Sequence, residues 1–201
     1  MKKLNQFIIE KLKINRNGRY NYYPQTKDEL QNLVNKLIKE RGNNADLNDI
    51  DTSNIDDMSD LFYCSNFDGD ISLWDVSNVE NMESMFQGSQ FNGDISEWDV
   101  SKVDNMQSMF YKSEFNGDIS AWDVSSVKNM DSMFAYSQFN QNLVRWNVSN
   151  VENMGYMFLN SEFNHNINRW KVKKDCTMTN MFKNSGLNKY PPKWYKNEFI
   201  F

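Results

Sequence analysis

The chain has 201 residues, 39% of them hydrophobic and 24% charged, with a formal net charge of −5. No run approaches the roughly 18 apolar residues that a membrane span needs, and Glu10 and Lys11 interrupt Met1 to Leu12 before the apolar core of a secretory leader can form. A membrane protein is thereby excluded and a cytoplasmic one expected. The net charge conceals a polarity: residues 1–45 carry 10 basic and 4 acidic side chains, 46–140 carry 3 and 19, and 141–201 carry 9 and 4. A strongly acidic middle thus lies between two basic ends.

Residues 1–45 read as an N-terminal cap. Asn17-Gly18 between Lys13-Ile14 and Tyr20 to Tyr23 is a two-strand hairpin signal, and Pro24 ends it. Thr26-Lys27-Asp28-Glu29 is a capping box, and Leu30, Leu33, Val34, Leu37 and Ile38 come after it at helical spacing. Gly42 supplies the stop. One apolar stripe needs a surface to cover, and the first coil of the region beginning at residue 46 is that surface.

Residues 46–187 keep a period of 24. Tryptophan recurs at Trp74, Trp98, Trp122, Trp146 and Trp170, with Trp194 in phase beyond; Phe67, Phe91, Phe115, Phe139 and Phe163 form a second column and Met58, Met82, Met106, Met130, Met154 and Met178 a third. Met85-Phe86 recurs too, with Leu61-Phe62 in the first copy. Fixed-period self-similarity marks a solenoid whose units bury their apolar faces on one another. The alternation of Gly-Asp-Ile-Ser with Trp-Asp-Val suits a brief strand. Ser77, Ser101 and Ser149, each with an acid three residues on, look like helix N-caps, with Val79, Met82, Met85 and Phe86 at helical spacing and Gly88 as the stop. The expected fold is therefore an α/β repeat: a right-handed, leucine-rich-repeat-like solenoid of about six 24-residue βα coils with a narrow parallel sheet.

Residues 188–201 read as a C-terminal cap. Pro191 and Pro192 blunt the last edge, since proline donates nothing to a ladder. Tyr190, Trp194, Tyr195, Phe199 and Phe201 are the residues available to cover it. Cys64 and Cys176 lie more than four coils apart, about 20 Å at ladder spacing, so no disulfide joins them. Unpaired thiols fit a reducing compartment.

The string Trp-Asp-Val-Ser-Asn-Val-x-Asn-Met-x-x-Met-Phe at 74–86, repeated with small changes at 98–110, 122–134 and 146–158, resembles the BspA-type leucine-rich-repeat family, met also as the repeat of mycoplasma surface proteins. The resemblance implies the leucine-rich-repeat fold and, for exported members, attachment to host or matrix proteins at the cell surface. Short versions without an export signal are similar to proteins encoded by phages and large DNA viruses.

Candidate functional residues fall in columns that packing leaves free. Tyr63, Gln87, Tyr111, Ala135, Leu159 and Lys183 share one; Leu73, Glu97, Ala121, Arg145 and Arg169 share another. Exposed aromatics such as Tyr63 and Tyr111 are what interface centres favour. Asp70, Asp94 and Asp118 stack in one acidic column and Asp75, Asp99 and Asp123 in a second. Like charges in register repel, so each is expected to accept backbone N–H bonds in an Asx turn. A calcium ladder is the less favoured reading, because the columns turn to Asn142, Asn147, Asn166 and Lys171 downstream. Asp94, Asp99, Asp118 and Asp123 are the candidates for meeting a basic partner.

Catalytic signals are sparse. His165 is the single histidine, no Cys/His or zinc-type spacing occurs, and the Asn-Gly-Asp turns would repel phosphate. The sequence predicts a non-enzymatic protein-interaction module without cofactor or metal, whose partner is a protein with a basic patch rather than nucleic acid or membrane. The alternatives are an intracellular inhibitor, of phage or viral origin, that uses the acidic middle to block a basic or nucleic-acid-binding site, and an exported surface adhesin.

Overall fold

A computed structural model describes residues 20–195. The single regular element among them is α1, Lys27–Arg41. Thr26 caps it by accepting from the Glu29 N–H, and the Glu29 carboxylate accepts from the Gln25 N–H at 2.7 Å. The Gly42 N–H closes the other end on the Ile38 carbonyl, with Gly42 at a φ of 92°. Leu30, Val34 and Leu37 are fully buried on one stripe. α1 sits on the first coils: Gln31 donates to the Leu61 carbonyl, Lys27 reaches Ser59 and Asp57, and Arg41 grips Asp49 through both guanidinium nitrogens at 2.9 Å. The expected hairpin lies mostly outside the described residues. Of its last part, Tyr22 forms a parallel bridge with Ile50.

From residue 45 to residue 195 the chain is a stack of 24-residue coils made of turns. This overturns the α/β architecture: the described residues hold no helix after α1 and no strand longer than one bridge, so there are no βα coils and no leucine-rich-repeat sheet. The coils meet through a row of single parallel bridges, Asp57 to Asn81, Asn81 to Asn105, Asn105 to Asn129, Asn129 to Asn153 and Asn153 to Thr177.

The destination of the backbone N–H groups explains the difference. Over the segment expected to be helical, Met82, Ser84, Phe86 and Gly88 donate to the carbonyls of Asn105, Gln107, Met109 and Tyr111 in the next coil, at 2.8–2.9 Å. The residues between them turn inward: Met85 donates to Met82, Gln87 to Ser84 and Ser89 to Phe86. Every donor is thereby used, half within the coil and half between coils, which leaves none for an i to i−4 ladder. Ser84 and Gly88, with φ of 54° and 66°, stand at the third position of successive turns, where a type II turn needs positive φ. The serines expected as N-caps do other work. Ser77 and Ser101 lie in Asx turns, donating their N–H to Asp75 and Asp99.

Side chains stack in register because the period never slips. Phe62, Phe86, Phe110, Phe134, Phe158 and Phe182 lie 5.4–5.8 Å apart, within 7° of parallel. Each inner Phe also faces the second column, as Phe110 does Phe115 at 4.4 Å. Each tryptophan ties two coils together. The Trp122 indole N–H donates to the Ile95 carbonyl of the preceding coil at 3.0 Å, and all six tryptophans repeat this bond 27 residues back. Among the described residues no buried side-chain nitrogen or oxygen is left without a partner.

At the far end, Pro192 is buried, Trp194 stacks on Trp170 at 6.1 Å and Tyr195 packs edge-on to Phe182 at 5.0 Å. Tyr190 does not join this cover and is 76% exposed; Phe199 and Phe201 lie outside the described residues.

Candidate functional site

The stack places the sequence-derived candidates on two separate parts of its surface. One holds the aspartate columns and the column beside them. Asp94, Asp99, Asp118, Asp123, Glu97, Arg145 and Arg169 are all exposed there. The other holds Tyr63 and Tyr111, seven positions before the Asp70 and Asp118 column and ten before the column of Leu73 and Ala121, with the buried Phe67 column between. Among the described residues no side-chain hydrogen bond, ion pair or ring contact joins the two groups.

On the first surface each aspartate accepts the N–H two residues on, in an Asx turn. Asp94 takes Ser96 at 3.0 Å, Asp118 Ser120 at 2.9 Å, Asp99 Ser101 at 3.1 Å and Asp123 Ser125 at 3.0 Å. Asn142 and Asn147 make the same bond where the columns lose their charge. The bond holds the carboxylates of Asp94, Asp118 and Asp123 below their ordinary range, chiefly through the serine N–H and hydroxyl groups. At Asp94 the repulsion from Asp70 and Asp118 pushes the other way and is the smaller effect. The column therefore stays ionised despite its spacing. None of these four carboxylates forms an ion pair among the described residues.

This surface is grooved but not deeply hollowed. One shallow cleft of about 440 Å³ lies among Asn44, Asp68, Asp70 and Asp94, and another of about 480 Å³ among Asn142, His165, Asn168 and Arg169. His165 stands in the glycine column and reaches back to the Asn140 carbonyl at 2.9 Å, as Gln141 does to Asn116. Among the described residues no group of three or more histidine, cysteine or carboxylate side chains could hold a metal ion. Burial pushes the Cys176 thiol up to about 11, so it is protonated at neutral pH, and Cys64 is exposed; both are free.

The second surface is richer than the sequence suggested. Tyr63 is 51% exposed, whereas Tyr111 is half-buried because Tyr136 of the next coil packs edge-on against it, with ring centroids 5.6 Å apart. The Lys112 ammonium lies 5.3 Å from the Tyr111 ring and 5.6 Å from that of Tyr136. Tyr156 adds a further exposed ring. Ala135, expected at the surface in the Tyr111 column, is fully buried. Column reasoning missed Tyr136 and Tyr156 because both stand in the two columns of positive φ. Their counterparts are Cys64, Gly88, Lys112, Asn160 and Asn184 for the first and Asp60, Ser84, Ser108, Ser132 and Asn180 for the second. Tyrosine at φ of 58° and 55° costs about 1 kcal/mol against residues that tolerate the left-handed region. An aromatic ring in two columns that otherwise hold none was the available signal.

Two overlapping stretches of the chain, residues 29–135 and 90–194, match the model of a family described as Mycoplasma protein of unknown function, DUF285. No curated protein and no solved structure matches the chain. Among the described residues no helix is long and apolar enough to cross a membrane.

Proposed function

Because the chain belongs to the DUF285 family of Mycoplasma repeat proteins, whose function is unknown, we propose from its geometry that the coil stack is a non-catalytic module that binds a protein with a basic patch. The binding face is the one carrying Asp94, Asp99, Asp118, Asp123 and Glu97, with Arg145 and Arg169 at its downstream end. The observation that carries this reading is an array of exposed aspartates in register that make no ion pair among the described residues. For Asp94, Asp118 and Asp123 the turn bonds also favour the charged form. Carboxylates fixed in this way steer a basic partner and act mainly on its rate of encounter. Two free cysteines support a cytoplasmic site of action; cell fractionation with the native protein tests that, and recovery at the cell surface would favour an adhesin.

The binding experiment uses a partner isolated by pull-down. Replacing Asp94, Asp99, Asp118 and Asp123 together by Asn is expected to slow association and flatten its dependence on salt. The fold survives because Asn142 and Asn147 already occupy the same turns. Unchanged association kinetics in a folded quadruple variant would refute this face. Loss of folding would make the aspartates structural and remove the proposal. Arg145→Ala tests the downstream end in the same assay.

A further inference from the structure

We propose that the aspartate face is covered by a second copy of this chain, laid antiparallel on it about a twofold axis that passes between the coil of Ala121 and the coil of Arg145. The proposal rests on that face being a binding surface and names its partner: the protein with the basic patch is the chain itself. Three adjoining columns change charge at one level. The column of Asp94 and Asp118 turns to Asn142 and Asn166, that of Asp99 and Asp123 to Asn147 and Lys171, and that of Glu97 and Ala121 to Arg145 and Arg169. All these side chains are exposed. One face is therefore acidic on one side of a sharp boundary and basic on the other. Neither half is neutralised within the chain: among the described residues no ion pair is formed by these acids, nor by Arg145, Arg169 or Lys171.

The charge boundary fixes the register. A twofold axis that lies in the interface, perpendicular to the stack, reverses the order of the coils and keeps each column opposite itself. Placed at the boundary, it sets the coil of Ala121 against the coil of Arg145, and the coil of Glu97 against the coil of Arg169. Ala121 has the smallest side chain of its column, and Asp118 and Asp123 flank it in the same coil. Arg145 of the other copy thus enters a gap between two carboxylates, one coil before Arg169 meets Glu97. In the flanking columns Asp99 meets Lys171, and Asp94, Asp118 and Asp123 meet asparagines. One coil further out Lys193 meets Leu73, which is 54% exposed and which a lysine stem can cover. Every match occurs twice, because the axis is twofold. Other registers fail on charge. An axis on the coil of Ala121 sets Asp118 and Asp123 against themselves, and an axis on the next coil sets Arg145 against itself. A parallel copy in register sets acidic coils on acidic ones.

Sedimentation of the full chain over a concentration series is expected to show a monomer–dimer equilibrium that weakens as salt is raised. Glu97→Arg alone and Arg169→Glu alone should each raise the dissociation constant on the order of tenfold or more, since like charges then meet twice. An equimolar mixture of the two variants should recover the dimer, because each reversed side chain then faces its opposite across the interface. Ala121→Arg, at an exposed site outside that pair, should weaken the dimer too by setting arginine against Arg145. Unchanged urea midpoints for these variants separate loss of contact from loss of fold. A parent chain monomeric at every concentration overturns the proposal, as does a dimer indifferent to the single variants or a mixture that stays monomeric. Failure here is distinct from failure of the face as a whole. A monomeric chain whose Asp94, Asp99, Asp118 and Asp123 to Asn variant still associates more slowly with the pulled-down partner keeps the proposed function and discards only the second copy.

Discussion

Replacing Trp122 by Ala tests the stacked-coil account most directly. Trp122 is 4% exposed, and its indole N–H donates to the Ile95 carbonyl at 3.0 Å. The hydrogen bond is a minor part of the loss, because the Ile95 carbonyl also accepts from the Trp98 backbone N–H at 3.2 Å and is not orphaned. Packing is the major part. A buried indole hides roughly 200 Å² of apolar surface, worth about 5 kcal/mol at 25 cal/mol per Å² as an upper estimate. Measured aromatic truncations give about 3–5 kcal/mol. Trp194 makes the equivalent bond to Ile167 at 3.0 Å but is only half-buried, with Trp170 stacked on one side of it. Its truncation should cost about 1–3 kcal/mol by the same area argument. Trp122→Phe, which keeps a ring and gives up the bond, should cost about 1–2 kcal/mol. Urea titrations followed by far-ultraviolet circular dichroism read all three from the shift in midpoint. Equal losses at Trp122 and Trp194 would refute the nearest-neighbour stack, because an interior coil has two neighbours and a terminal coil one.

Gly69→Ala should destabilise strongly, since an added Cβ would lie 2.1 Å from the Ala45 carbonyl oxygen; Gly117→Ala, whose nearest atoms belong to the Phe115 ring at 2.8 Å, should cost much less. Thermal melts of the two variants check the order. Asp49→Asn removes the fork that Arg41 makes with the first coil and should cost about 1–2 kcal/mol, read from the urea midpoint. The pH dependence has a definite sign. Asp49, Asp70, Asp94, Asp118 and Asp123 are held below their ordinary range, mainly by the Arg41 bond at Asp49 and by Asn48 and serine bonds in the columns. Their contribution is therefore full above the unfolded carboxylate value of about 3.9 and is lost as pH falls through the lower folded values. The Asp94, Asp118 and Asp123 to Asn variant should lose less stability between neutral pH and that range than the parent. An identical acid limb in the two proteins would contradict the turn-bond account.

Much of the candidate surface was legible because the repeat is strict. Asp94, Asp118 and their neighbours stand where the period puts them, exposed and in Asx turns. Tyr111 was found, but its partner Tyr136 was not, because the contact crosses from one coil to the next and from one column to another. Ala135 misled for a similar reason. A column shared with Tyr63 and Lys183 looks like free surface, yet the Ala135 side chain itself is buried.

The sequence alone determined the period, the register of the stack, the inward-facing columns and the capping helix. Each is written in local chemistry: the 24-residue recurrence of Trp, Phe and Met, the capping box at Thr26 and the stop at Gly42. The conformation of the coil was decided only in the stack. Val79, Met82, Met85 and Phe86 have spacings that a helix and a succession of turns satisfy equally, since both bring about every third or fourth side chain to one side. The choice depends on where the N–H groups of Met82, Ser84, Phe86 and Gly88 find carbonyls, and those carbonyls belong to residues 23 positions later. A lone coil of this sequence has no such acceptors. With the next coil in place, half of its donors are satisfied outside it, and the turns win over the helix.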